Sequence, residues 1–206
     1  MKELSLDQIH AATVDLLSKF IEICERIEIN YFVFWGTLIG AVRHKGFIPW
    51  DDDCDVVMLR PDYEKIAEYC KSHASELCSY KLLNRETVDN YPFTLPRFSN
   101  MNYKMIYHFE DGVDCGLFID IYPLDGAGNN YLYIKEHHKH LRALLLRVAY
   151  YANERKPRKS NRGGIFNLIN IIPFLMGHIV GRDKLLDYFE SKKIHMKCKI
   201  VNMLHV

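Results

Sequence analysis

An excess of charge of either sign is missing from this chain: 27 Lys and Arg stand against 26 Asp and Glu in 206 residues. That balance excludes the broad electrostatic attraction on which nucleic-acid binders depend, and no nucleic-acid partner is expected. Paired cysteine spacing is missing too. Cys24, Cys54, Cys70, Cys78, Cys115 and Cys198 form neither a C-x-x-C nor a zinc-finger pattern, so reduced, buried thiols in a cytosolic protein are expected. The first residues hold no basic region followed by an apolar core and a small-residue cleavage site, which speaks against a secretory signal. The chain is therefore expected to stay in the cytoplasm, at most on the inner face of the membrane. A long unbroken apolar run is absent as well. Ile165 to Val180 is interrupted by Asn167, Asn170, Pro173, Gly177 and His178, and is too short and broken for a membrane span. It reads as a buried helix or one resting on a membrane surface.

What the chain does have is a core's worth of apolar residues, 49% of the total, and a length that suits one domain over residues 1–206. Its most informative stretch is Trp50-Asp51-Asp52-Asp53-Cys54-Asp55, four carboxylates in six residues, directly before Val56-Val57-Met58-Leu59. Pro49 and Pro61 flank what looks like a short strand, in which Asp51, Asp53 and Asp55 would share one face and Asp52 and Cys54 the other. Two such charges about 4 Å apart repel by about 4 kcal/mol at a protein-like effective dielectric. A strand entering a core tolerates that poorly unless a divalent cation is bound, and all-oxygen ligands favour Mg2+ or Mn2+. A solvated acidic turn that binds nothing is the alternative. Cys54, turned away from the acids, is expected to pack in the core.

Upstream, Tyr31 to Trp35 is a strand-like aromatic run that reaches Gly36-Thr37, and Leu38 to Arg43 is helix-compatible. A glycine at such a turn lets backbone approach a ligand, and the first N–H groups of the next helix make a phosphate site. The helix closes on Arg43-His44-Lys45 with Gly46 as the stop. Arg43, and less directly His44 and Lys45, are placed to meet phosphate oxygens, although a solvated basic helix end favoured by the dipole has the same appearance. A phosphate cradle beside a metal-binding strand is what transfer from a nucleotide-activated donor requires.

The run from Phe34-Trp35-Gly36-Thr37-Leu38-Ile39-Gly40-Ala41-Val42-Arg43 through Pro49-Trp50-Asp51-Asp52-Asp53-Cys54-Asp55-Val56 resembles the signature of the LicD family, to which fukutin-type proteins also belong. A second segment, Phe118-Ile119-Asp120-Ile121-Tyr122-Pro123-Leu124-Asp125-Gly126, is similar to that family's later aspartate strand. The resemblance implies an α+β, nucleotidyltransferase-like fold, a mixed sheet flanked by helices with a helical C-terminal third. It implies transfer of a phospho-alcohol, most often phosphocholine from CDP-choline, onto a cell-surface glycan such as lipopolysaccharide or teichoic acid. Fukutin-type relatives use CDP-ribitol. The family pattern falls on Gly36 and Thr37 for the donor, Asp53 with Asp55, and Asp120, with Asp51 completing the acidic face and Asp51, Asp53 and Asp55 as metal ligands. Asp120 sits in the apolar run Leu117 to Ile121, where a lone carboxylate is costly unless paired or metal-bound. Asp125, just past Pro123, suits a turn instead. Family members usually continue beyond a helix like Lys184 to Lys199, so this chain is expected to be C-terminally short.

The expected order is an N-terminal helix over 4–28, a catalytic sheet region over 31–126 and a helical region over 130–200. Ser5 and Gln8 suggest a capping box, and Ile9, Ala12, Leu16, Leu17, Phe20, Cys24 and Ile27 recur at helical spacing. Pro61-Asp62 opens a second helix to about Lys71, and Tyr80 to Leu83, Phe93 to Phe98 and Tyr103 to Phe109 read as strands. Arg97 is an additional candidate for a phosphate or glycan contact. Tyr131 to Ala152 reads as a helix, whose His137, His138 and His140 lack a completing ligand for zinc. The basic loop from Arg155 to Gly164 suits either solvent or an anionic acceptor or lipid. A nucleotide-sugar glycosyltransferase and a non-catalytic binding module remain as alternatives. The oligomeric state is not legible.

Overall fold

The computed structural model describes residues 3–89, 91, 93–105, 113–125, 164–181, 184 and 187. The chain divides into two compact units, Met1–Leu124 and Asp125–Val206. In the first unit the chain opens with helix α1, Leu6–Arg26, started by the capping box that its sequence announces. The Gln8 backbone N–H donates to Ser5 Oγ at 3.4 Å, and the Ser5 N–H donates to Gln8 Oε1 at 3.0 Å. The stripe of Ala12, Thr13, Leu16, Phe20, Ile23 and Cys24 is buried, as helical spacing predicts.

Among the described residues five strands make one sheet in the order β1-β2-β5-β4-β3. They are β1 (Phe32–Val33), β2 (Asp55–Leu59), β3 (Tyr80–Leu83), β4 (Arg97–Asn100) and β5 (Leu117–Leu124). Only the pairing of β2 with β5 is parallel; the other three are antiparallel. The sheet is mixed and flanked by helices, the α+β architecture expected. On one face Val56, Met58, Phe98, Ile119 and Ile121 pack against Leu16, Phe20, Ile23 and Cys24 of α1. Ile66, Tyr69 and Cys70 of α3, Arg60–Ser72, join the same core. Each large apolar side chain so buried contributes about 1.5–3 kcal/mol, which fixes this face inward; the opposite face carries Asp55, Asp120 and Arg97 beside a smaller apolar cluster of Leu83, Tyr91 and Cys115 with Phe93 and Phe118 against it. Short α4, Ala74–Leu77, leads into β3.

Three expectations shift. The aromatic run predicted as a strand over Tyr31 to Trp35 keeps only Phe32 and Val33 in the sheet, and helix α2, Trp35–His44, begins three residues earlier than its sequence suggested. Gly36 and Thr37 thus lie in the first turn of α2 rather than in a loop before it. Strand β4 starts at Arg97 instead of Phe93, since Pro96 just ahead of it has no N–H for a ladder; its carbonyl accepts from the Ile121 N–H at 3.0 Å. The predicted strand over Tyr103 to Phe109 starts in a turn at residues 101–103, and residues 106–112 lie outside the described ones.

In the second unit, helix α5, Gly164–Val180, forms over the interrupted apolar segment, with Pro173 inside it. Pro173 and Gly177 are buried, whereas Leu175, Met176, Ile179 and Val180 are exposed. No described helix is long and apolar enough to cross a membrane. The helix expected over Tyr131 to Ala152, its three histidines, the basic loop up to residue 163 and nearly all of the Lys184 to Lys199 segment lie outside the described residues.

Candidate active site

The acids converge at the end of β2 that faces α2. Residues 51–54 are irregular, and the strand begins only at Asp55. Side-chain alternation therefore does not reach back through the run. Asp52, expected on the opposite face, offers a carboxylate oxygen within 4.8 Å of those of Asp51 and Asp53. Asp55 instead points from the strand itself, two residues on. Cys54 is buried, and burial pushes its thiol up to about 12. It packs in the core as expected.

Helix α2 is fitted tightly over this run. The Asp55 N–H donates to Thr37 Oγ1 at 2.8 Å, and the Phe34 N–H donates to the Asp55 carbonyl at 3.0 Å. A Cβ placed on Gly36 would stand 2.6 Å from Asp51 Oδ2, so glycine makes room for a carboxylate here. At Gly40 a Cβ would stand 2.5 Å from the Gly46 carbonyl oxygen and 2.9 Å from the Ile48 nitrogen. There the glycine lets the chain double back against its own helix. Trp35, at φ 45°, turns the chain into α2. On the far side of the acidic run, His10 Nε2 bonds the Asp51 carbonyl at 2.6 Å, and its ring stacks on Phe47 at 4.4 Å.

Strand register completes the arrangement. Asp55 and Asp120 are direct partners in the parallel pair, and Asp120 and Arg97 are partners in the neighbouring antiparallel one. The three side chains form a row across the centre of the sheet. Arg97 Nε donates to Asp120 Oδ1 at 2.8 Å. The guanidinium lies 3.7 Å from the ring centroids of both Phe93 and Phe118, held between two aromatic faces. Tyr122, two residues past Asp120 and on the same face, hydrogen-bonds Asp55; its ring also meets Phe34 edge-on at 5.7 Å.

The electrostatics follow from crowding. Burial, then the Asp120 and Asp53 charges, push the Asp55 carboxyl up to about 6, while the Tyr122 hydrogen bond opposes the rise. Burial is also the largest cause of the raised Asp53 value, with Asp52, Asp51 and Asp120 adding to it and Arg97 opposing. Tyr122 is pushed up to about 12 by burial and by Asp55 and Asp120, so it stays a phenol that donates. Carboxylates that resist ionisation together are an all-oxygen donor set suited to a hard divalent cation.

A family model described as "LicD/FKTN/FKRP, nucleotidyltransferase domain" matches residues 28–144, a span holding every acid just described. This chain belongs to the LicD family. It is 33% identical over 145 residues to the lipopolysaccharide cholinephosphotransferase LicD of Haemophilus influenzae, covering 68% of this chain and 53% of that protein. An uncharacterized protein of Rickettsia prowazekii is 28% identical over 132 residues, 64% of this chain and 38% of the other. Another from Rickettsia typhi is 44% identical over 61 residues, 30% and 18% of the two chains. This LicD-family chain spans about half the length of the Haemophilus relative and less of the rickettsial ones.

Within the LicD domain, Gly36, Thr37, Asp51, Asp53, Asp55 and Asp120 come together. Arg43 and His44 do not join them at the same end of α2. They occupy its last turn, exposed, about 9 Å along the axis from Thr37 at 1.5 Å per residue, and the His44 ring lies 6.3 Å from that of Trp50. Asp125 follows the end of β5, outside the carboxylate group. Sequence reasoning missed Tyr122, which the two-residue period from Asp120 could have found. Arg97, an additional candidate for a phosphate or glycan contact, pairs with Asp120; that pairing depends on strand register and left no local signal.

Proposed function

We propose that this LicD-family chain transfers a phospho-alcohol to a hydroxyl of a cell-surface glycan, with phosphocholine as the group that the name of its Haemophilus relative favours and CDP-choline as the proposed donor. Lipopolysaccharide or teichoic acid fits as acceptor. The observation that carries this is the convergence of Asp51, Asp52 and Asp53 with Asp55 and Asp120 beneath the first turn of α2. Such a carboxylate group, with Asp55 raised to about 6, suits Mg2+ or Mn2+, with Asp51, Asp53 and Asp55 as the proposed ligands. The cation would supply charge neutralisation on the donor's pyrophosphate.

The remaining work falls to the chain. Gly36 and Thr37 offer backbone N–H groups at a helix N-terminus for phosphate oxygens. The acceptor oxygen forms a bond to the donor's β-phosphorus as the bond from that phosphorus to the CMP oxygen breaks. CMP leaves with the electron pair, and the hydroxyl proton passes to a carboxylate, Asp120 or Asp53. Arg97, gripped by Phe93 and Phe118, fixes the carboxylate of Asp120. Positioning and electrostatics supply most of the rate.

Thermal unfolding with CDP-choline, CDP-ribitol, CDP-glycerol and UDP-sugars, each with Mg2+ or EDTA, tests the reading, because a ligand selective for the native state raises its stability. A magnesium-dependent rise with one CDP-alcohol supports it and names the donor. A rise with UDP-sugars instead transfers the site to glycosyl chemistry, and no rise with any of them rejects a donor site in this chain.

A further inference from the structure

Helix α2 has a side that the acidic site does not use. Gly36 and Gly40 face Asp51 and the returning chain at Gly46 to Ile48. Trp35, Leu38, Ile39 and Val42 recur at i, i+3, i+4 and i+7, which places them on one stripe turned well away from that glycine face. All four are exposed, Trp35 to 61% and Val42 to 64%. Trp50, 78% exposed, lies beyond the helix end where His44 meets its ring edge-on. An apolar stripe of this extent on one short helix exceeds the scattered exposure usual on a soluble surface.

Its border is basic. Arg43 follows Val42, His44 ends the helix, and Lys45 closes it in a left-handed cap. All three are exposed, and among the described residues no acid forms an ion pair with any of them. The Asp51 carboxylate lies against Gly36, on another side of the helix, while Asp52 and Asp53 are exposed and follow Trp50 in the chain. Apolar stripe, two indoles and a cationic rim form the pattern of a helix lying in the plane of a membrane interface, where indoles sit at headgroup level and Lys and Arg meet anionic lipid.

We infer that the Trp35, Leu38, Ile39 and Val42 stripe of α2, with Trp50 and the Arg43 and Lys45 rim, docks on an anionic lipid surface. Docked so, α2 presents its first turn and the carboxylates beneath it close to the headgroups, where a lipid-anchored acceptor would be met. The inference does not depend on the donor being a CDP-alcohol, since docking is read without turnover.

The two tryptophans of the chain, Trp35 and Trp50, are both in the patch, so tryptophan emission excited selectively at the red edge, away from the tyrosines, reports on the patch. With the full chain and vesicles of phosphatidylglycerol and phosphatidylcholine, the emission shifts to the blue and is quenched by brominated acyl chains; phosphatidylcholine alone gives a much weaker response. Val42→Asp weakens partitioning at least tenfold with circular dichroism unchanged. Arg43→Gln and Lys45→Gln each weaken it about fivefold, the effect of about one kcal/mol per cation near an anionic surface. Unchanged emission in the wild-type protein with phosphatidylglycerol vesicles overturns the inference, even if the protein sediments with them. So does a blue shift that follows protein concentration without lipid, which assigns the stripe to a second copy of the chain. Equal responses to both vesicle types overturn the role of the cations.

Discussion

Arg97 and Asp120 stand opposite each other on neighbouring antiparallel strands, joined by an Nε to Oδ1 hydrogen bond of 2.8 Å. Both side chains are largely buried, and two phenylalanine rings fix the guanidinium from either side. Asp120 also partners Asp55 across the parallel pair, so this ion pair anchors the only carboxylate of the group that β5 supplies.

Removing the cation should show in both stability and rate. Arg97→Gln leaves Asp120 beside Asp55 and Asp53 without its counter-charge and is expected to cost about 3 kcal/mol in urea unfolding, the low end for a buried pair losing one partner. Turnover is expected to fall at least tenfold. Arg97→Lys keeps the charge but not the planar fork between the rings, and recovers only part of either loss.

The crowded acids predict a pH slope. Asp55 has its carboxyl raised from the ordinary aspartate value of 3.8 to about 6, so between these values the folded chain holds more protons than the unfolded one. Stability from this group therefore falls as pH rises from about 4 to about 6 and stays low above that. Urea unfolding in EDTA should show wild-type stability declining across this window relative to Asp55→Asn, which lacks the group. Mg2+ should flatten the difference by favouring the ionised form.

Asp53→Asn and Asp55→Asn are expected to abolish the magnesium-dependent stabilisation by donor while leaving the far-ultraviolet dichroism unchanged. Full activity in either variant would remove that residue from the proposed site.

The two glycines of α2 should separate function from folding. Gly36→Ala puts a methyl group against the Asp51 carboxylate, the movable end of a side chain. Unfolding free energy should change by less than about 1 kcal/mol, alanine being the better helix former, while Mn2+ affinity measured by calorimetry drops about tenfold, as for other changes just behind metal ligands. Gly40→Ala meets backbone at Gly46 and Ile48 and is expected to destabilise the chain by about 1–3 kcal/mol.

Thr37 ties the helix to the strand through the Asp55 N–H. Thr37→Val leaves that donor unpaired and is expected to cost about 1–3 kcal/mol, whereas Thr37→Ser keeps the bond and most of the stability. Thermal or urea unfolding of the two variants decides the role of the hydroxyl.

Local chemistry is what could be read from the chain. The Ser5 and Gln8 box and the apolar stripe that follows set α1 to within two residues of its expected ends, because caps and helical periodicity act over a few residues. Tyr80 to Leu83 is a strand as expected. The acids and the glycine turn were visible as a family motif as well as a chemical one. Alternation within the acidic run was not a safe guide: the Cys54 carbonyl accepts from the Asp120 N–H at 2.9 Å, but residues 51–53 belong to no strand, and without a pleat nothing forces successive side chains to opposite faces. Asp52 consequently joins Asp51 and Asp53.

By itself, then, the sequence determined helices α1 and α3, strands β2 and β3, the all-oxygen character of the acidic run and the family to which the chain belongs, since each rests on neighbouring residues. Only the tertiary structure decided which acids meet, that Arg97 serves Asp120, and that Tyr122 donates to Asp55. Those contacts join β2, β4 and β5, strands far apart in the chain, and the register between them is set by packing Val56, Met58, Phe98, Ile119 and Ile121 against α1 and α3. A shift of one residue would turn every site side chain into that core, so burial of one face is what fixes the chemistry of the other.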